Sequence, residues 1–199
     1  MRSSRAPVVR EWPAMSKAVV DLARALDFAA RKHAHQRRKG KDAQPYVNHL
    51  ADVARLVAEA TGGRDATAVV AALLHDTIED TGTKRSELAR AFGPRVAAIV
   101  AEVSDDKRLP KQVRKQRQVE EARHKSRRAK LIKIADKTSN LRSLLTSPPV
   151  GWSLDRQREY FEWAALVVAG CRGVNPRLER QFDAAYRAGL RKLRTLPPA

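Results

Sequence analysis

Cysteine is almost absent from the 199-residue sequence, with Cys171 the only one. No internal disulfide can form, and no thiolate cluster can hold a metal. Aromatic residues make up only 5%, against 43% hydrophobic residues overall, and alanine is the favoured apolar type. A β-sandwich draws on β-branched and aromatic side chains, so this composition points to packed helices instead. Long apolar runs are missing too. The longest, Ala164 to Val168 with Ala169 to Cys171 behind it, is far short of the roughly 20 residues of a membrane span. Met1 to Lys17 carries arginines and two prolines but no apolar stretch, which argues against a secretory signal. Acidic residues are scarce: 22 Asp and Glu face 40 Lys and Arg, a formal net charge of +18. Such an imbalance calls for an anionic partner, and nucleic acid, acidic membrane and polyphosphate nucleotide all qualify. The expectation is a cytoplasmic, non-membrane, all-α protein whose length suits one domain.

What is present is helical periodicity. Residues 1–14 read as a flexible arm and 15–195 as the folded domain. Val19, Leu22, Leu26, Ala29 and Ala30 recur at helical spacing between Met15 and about His35. A basic loop, Gln36 to Pro45, follows, then a helix from about Val47 to Ala60 that stops at Gly62-Gly63. The next helix, about Ala66 to Asp80, is almost wholly apolar until its last turn and must be buried on most sides. Short helices over Ser86–Phe92 and Pro94–Glu102 precede a stretch, Lys107 to Lys133, holding twelve Lys or Arg. Its helices break near Lys125-Ser126. Helices over Leu131–Leu145, Ser153–Cys171 and Pro176–Arg194 complete the chain.

The chemistry gathers in DATAVVAALLHDTIEDTGT, Asp65 to Thr83. This stretch of a very basic protein has no Lys or Arg, yet it holds Asp76, Glu79 and Asp80. On one continuous helix these carboxylates fall in the last turn, where the helix dipole disfavours each by roughly 0.3–1 kcal/mol. Something positive must be near, and a metal ion is the simplest answer. Histidine and aspartate without thiolate suggest Mn²⁺, Fe²⁺ or Zn²⁺, and oxygen-rich ligation tilts toward Mn²⁺. His75-Asp76 cannot close a site alone. His49 in PYVNHL and Asp136 in LIKIADKTSN are the candidates to complete it. Taken singly, each residue has an ordinary reading. Glu79 and Asp80 suit a solvated helix end, and Asp136 suits a pair with Lys133 or Lys137. His33, His35 and His124 read as packing or surface residues, and Cys171 as an inert buried thiol.

The pattern His49, His75-Asp76, Asp136 resembles the HD-domain metal-dependent phosphohydrolases. The longer HDTIED, together with FAARKHAHQRRKGKDAQPYVNH, VSDDKRLPK, AKLIKIADKTSNLRSL and EYFEWA, is similar to the alarmone (guanosine penta/tetraphosphate) hydrolase branch, and to its stand-alone small members. The similarity runs from about Phe28 to about Cys171. It implies a single HD-domain helical bundle with Mn²⁺ held by His49, His75, Asp76 and Asp136. Glu79 and Asp80 match the family's catalytic acid pair. Arg38 and Lys39 match the basic pair that meets the nucleotide, with Arg38 stacking on guanine, and Asn140, Tyr160 and Lys107 match further nucleotide contacts. The implied activity is removal of the 3′-pyrophosphate from an anionic guanine nucleotide, without the synthetase domain of the family's large relatives. Two alternatives stay open at this point: the same site acting on another nucleotide such as NADPH, and a basic nucleic-acid-binding protein. The run from Lys107 to Lys133 lacks aromatics, which argues against stacking on single strands.

Overall fold

The computed structural model describes residues 16–195. They form α1 (Lys17–Lys32), α2 (Val47–Thr61), α3 (Ala66–Leu74), α4 (Thr77–Thr81) and α5 (Arg85–Phe92), then α6 (Pro94–Val103) and α7 (Lys111–Glu121). After one 3-10 turn at Ala122–His124 come α8 (Arg127–Thr146), α9 (Leu154–Cys171) and α10 (Pro176–Thr195). The β-type pairings among the described residues are two isolated bridges, Arg37 with Pro45 and Gly40 with Pro149. The all-α expectation holds. The expected arm, residues 1–14, lies outside the described residues. Among the described residues, no helix is long and apolar enough to cross a membrane.

Helix ends follow local chemistry. Asp65, Ser126 and Ser153 cap α3, α8 and α9 by accepting from the backbone N–H of Ala68, Ala129 and Arg156, which satisfies donors that a helix start leaves unpaired. Gly62 ends α2 in the left-handed region at φ 58°, a conformation that L side chains rarely adopt. The apolar stripes of these helices close over one core that runs from Ala25 to Leu193. α8 is its axis, packing against α2, α3, α6, α9 and α10, while α3 packs against α1, α2, α6 and α8.

One expected helix is broken. Ala66 to Asp80 does not run on continuously, because α3 stops at Leu74 and α4 starts at Thr77. Side chains take over the carbonyls that the break would orphan. His75 Nδ1 bonds to the Ala72 carbonyl at 2.8 Å, and Thr77 Oγ1 donates to that of Leu74 at 2.6 Å. Asp76 sits at φ −97°, ψ −2° between the two helices. Glu79 and Asp80 therefore lie in the first turn of α4, not the last turn of a long helix, and the dipole penalty expected for them does not arise. The demand for a cation has another origin, described below.

The basic loop is pinned to the far end of α8. Arg38 N–H donates to the Gln44 carbonyl at 2.8 Å and Ala43 N–H to that of Gly40 at 2.9 Å. A β-carbon at Gly40 would lie 2.5 Å from the Ser147 carbonyl oxygen, so only glycine lets the loop approach this closely. That contact sets Arg38 beside α8.

Candidate metal centre and active site

A cavity of about 640 Å³ opens between the basic loop, α4, α7, α8 and α9. His75, Asp76, Glu79, Asp80 and Asp136 line it, and His49 is buried at the same cluster. One ligating atom from each of His49, His75 and Asp136 falls within 4.8 Å of the others. Nε2 of His49 is 3.3 Å from Asp136 Oδ1, and Nε2 of His75 is 4.0 Å from it. Asp76 Oδ2 joins them, 3.1 Å from His75 Nε2 and 3.8 Å from His49 Nε2. Four residues expected from three separate segments are thus brought together.

The two imidazoles are held from behind. His75 Nδ1 faces a carbonyl, which can only accept, so Nδ1 carries a hydrogen and Nε2 is the nitrogen turned toward the cluster, able to take a proton or a metal. That Nε2 is buried and has no hydrogen-bond partner among the described residues. His49 Nδ1 contacts Ser139 Oγ at 3.1 Å. Burial by itself would disfavour a charged His75, but the Asp76 and Asp136 carboxylates and the Ala72 carbonyl together outweigh it and push the imidazole up to about 9. His49 is lowered by burial. For Asp76, burial works against ionisation, yet His75 holds the carboxyl well below the usual range. Two buried carboxylates meeting two imidazole nitrogens require a proton or a cation between them. The donor set, two imidazole nitrogens with two carboxylates, fits a divalent metal.

The acid pair sits beside this cluster in two distinct settings. Glu79 Oε2 accepts from the Asp105 backbone N–H at 3.0 Å, and Oε1 is 3.6 Å from Arg114. Burial raises Glu79 above the ordinary carboxylate value. Asp80 accepts from Gln36 Nε2 at 2.8 Å through Oδ2 and pairs with Lys107 through Oδ1. Lys107 is therefore engaged with an acid.

The other expected contacts also line the cavity. Arg38 donates to Asn140 Oδ1 at 3.1 Å and Ser143 Oγ at 2.9 Å. Asn140 in turn donates to Asp136 Oδ1 at 2.6 Å, so it joins the loop arginine to a metal-site aspartate. Lys39 is exposed at the rim. Tyr160 packs between Trp152 and Trp163, with ring centroids at 5.7 and 5.3 Å, and burial pushes its phenol up to about 12. Of the other histidines, His33 is buried while His35 and His124 are exposed; Cys171 is buried, and burial raises its thiol.

Tyr46 was not singled out from sequence, and Lys133 and Lys137 were weighed only as ion-pair partners of Asp136. Tyr46 donates to Asp76 Oδ2 at 2.6 Å, and Lys137 donates to Asp136 Oδ2 at 2.9 Å. Of the two lysines weighed as partners for Asp136, Lys137 makes the pair. Lys133 is buried against the cavity with no ion-pair partner among the described residues, and burial lowers its proton affinity. Their only signal was proximity, Tyr46 within PYVNH and both lysines within LIKIADK. The cavity wall carries ten Lys or Arg against seven Asp or Glu. Lys107, Lys111, Arg114, Lys115 and Lys133 of the long basic run face it.

A buried His-Asp centre among helices of this order defines a class. The HD domain family model matches residues 25–160, and the chain belongs to the HD domain family. Within it, the chain is 52% identical over 173 residues to the Homo sapiens protein named guanosine-3′,5′-bis(diphosphate) 3′-pyrophosphohydrolase MESH1, covering 87% of this chain and 97% of that one. The Drosophila melanogaster protein of the same name is 46% identical over 162 residues, with 81% and 90% covered. A solved structure described as a metazoan ortholog of SpoT that hydrolyzes ppGpp superposes with a TM-score of 0.83 at 42% identity, covering 92% of this chain and 99% of that one.

Proposed function

We propose that the protein removes the 3′-pyrophosphate of guanosine tetra- or pentaphosphate, giving GDP or GTP plus diphosphate. The observation that carries this reading is the four-residue cluster of His49, His75, Asp76 and Asp136, set beside a carboxylate pair in a cation-rich cavity. The names of the similar proteins support the same substrate. A divalent ion held by these four residues, which we assign as Mn²⁺, supplies Lewis acidity toward water and a phosphoryl oxygen.

The chain's own groups do the rest. Glu79, with its raised proton affinity, accepts the proton of the attacking water, and Asp80 orients that water. Attack at the 3′-phosphorus breaks the bond to the ribose oxygen and releases diphosphate. Arg38, held by Asn140 and Ser143, stacks its planar guanidinium on the guanine. Lys39, Lys107 and Tyr160 meet the remaining phosphates and ribose at the rim and wall. Lys133, buried with no ion-pair partner among the described residues, is a ready counter-charge for a phosphate at the cavity floor. The nucleic-acid reading is not favoured, because much of the basic run faces the cavity and other parts bind the protein's own surface. Arg128 pairs with Asp65, and Lys125 donates to the Glu102 carbonyl. Residues 15–195 act in this reading as one catalytic unit.

The test is incubation of the Mn²⁺-loaded protein with guanosine tetraphosphate and measurement of released diphosphate. Turnover is expected, with Glu79→Ala and Asp80→Ala abolishing it while metal content stays at wild type. His75→Ala is expected to lose the metal. Absence of turnover alongside brisk hydrolysis of NADPH would overturn the substrate assignment.

A further inference from the structure

Behind Asp80 lies a chain of contacts that catalysis as described does not use. Gln36 donates from Nε2 to Asp80 Oδ2 at 2.8 Å, and its Oε1 lies 2.5 Å from His33 Nδ1. Chemistry fixes every orientation here. A carboxylate only accepts, so the amide must turn its NH₂ toward Asp80 and its oxygen toward His33. His33 must then carry hydrogen on Nδ1. Its Nε2 is buried with no partner among the described residues, so the ring is engaged from one side only.

The backbone is equally constrained. Gln36 N–H donates to the His33 carbonyl at 3.0 Å, and Tyr46 N–H donates to the Gln36 carbonyl at 3.1 Å. The His33 ring stacks on Tyr46, with centroids 5.1 Å apart, and Tyr46 in turn holds Asp76. Without Gln36, the remaining side-chain hold on Asp80 among the described residues would be Lys107, whose side chain is 49% exposed. We propose that His33 and Gln36 are positioning residues that fix the carboxylate plane of Asp80 through a donor relay. The proposal rests on the reading of Asp80 as half of the catalytic acid pair.

A packing role and a donor role predict opposite outcomes for two substitutions. His33→Phe keeps a ring to stack on Tyr46 but has no donor. His33→Asn loses the ring but places an N–H close to where Nδ1 stood. The relay predicts that His33→Phe lowers kcat by about 10–100-fold, the scale of a misplaced catalytic group, with KM and metal content unchanged. His33→Asn is expected to restore kcat to within about threefold of wild type, on the same scale. Gln36→Ala, read in the same Mn²⁺-loaded assay, is expected to match His33→Phe and serves in its place if that variant does not fold. A His33→Phe or Gln36→Ala enzyme with wild-type kcat, or His33→Asn falling as far as His33→Phe, overturns the relay. Asp80→Ala separates the two failures. If it stays active, the acid assignment falls and the relay with it; if it is inactive beside a fully active Gln36→Ala, the relay alone falls.

Discussion

α3 and α8 are both buried around most of their circumference, and both lead to the metal centre, yet they are made of opposite materials. Every buried residue of α3 is Ala, Val or Leu. α8 buries Lys133, Asp136, Lys137, Thr138 and Ser139 among its apolar residues. Burial of α3 is favourable whatever its neighbours offer, because apolar surface leaves water. Burial of α8 is tolerable only while each polar group has a partner. Thr138 donates to its own helix at Ile134, Ser139 meets His49, and Lys137 meets Asp136. The exception is Lys133. The difference teaches that α3 holds the fold while α8 holds the site, and that the two can be damaged separately.

The largest expected effect comes from breaking the α8 side. Asp136→Ala should lose stoichiometric metal, measured by elemental analysis, and lower turnover by more than the about 100-fold typical of outer-shell changes. On the α3 side, Leu73→Ala should cost about 2–5 kcal/mol of stability, read by urea unfolding, while metal content and kcat remain near wild type. Loss of metal in that variant would show that the division between the two helices is false. Chelation tests the cation directly. Removing the metal should lower Tm, and restoring Mn²⁺ at about 100 times its Kd should return about 2.7 kcal/mol.

Lys133→Met should give the smallest change and the most telling sign. Burial lowers the proton affinity of Lys133 in the folded state, so the charged amine opposes folding wherever the unfolded chain is protonated. Methionine removes that cost, and the unfolding free energy at neutral pH should rise by about 1 kcal/mol, on the scale of replaced buried charges, with Tm rising alongside it. The charge-related part of this gain should shrink as pH rises through the lowered folded value of Lys133 and be gone above the unfolded lysine value of about 10.4. At the same time KM for guanosine tetraphosphate should rise about tenfold, as for a lost charge-assisted hydrogen bond. A less stable Lys133→Met protein with unchanged KM would contradict both halves.

Much of this was legible beforehand. The helical periods, the glycine stop at Gly62 and the all-apolar third helix follow from local rules, and the HD pattern picked out the His and Asp residues that the fold brings into one cluster. The break at His75-Asp76 was not legible, because ATAVVAALLHDTIED is uninterrupted by Gly or Pro. What breaks the helix is a pair of side-chain bonds, from His75 and Thr77 to carbonyls that a continuous helix would have used itself. Asn140 was expected to face nucleotide, and its tie to both Arg38 and Asp136 depends on a loop 102 residues away in sequence. Tyr46, Gln36 and Lys137 carried no pattern of their own, since each acts through a partner from another element or through a neighbour whose burial only packing creates.

By itself, the order of residues determined the helices, their apolar faces, the excess of positive charge and the identity of the groups able to grip a metal, because these depend on side-chain chemistry and spacing within one element. The tertiary structure alone decided which polar groups are buried, which carboxylate each cation meets, and that the buried Lys133 has no ion-pair partner among the described residues. Those outcomes depend on distances between elements, and a charge gains or loses several kcal/mol according to what stands beside it once water is excluded.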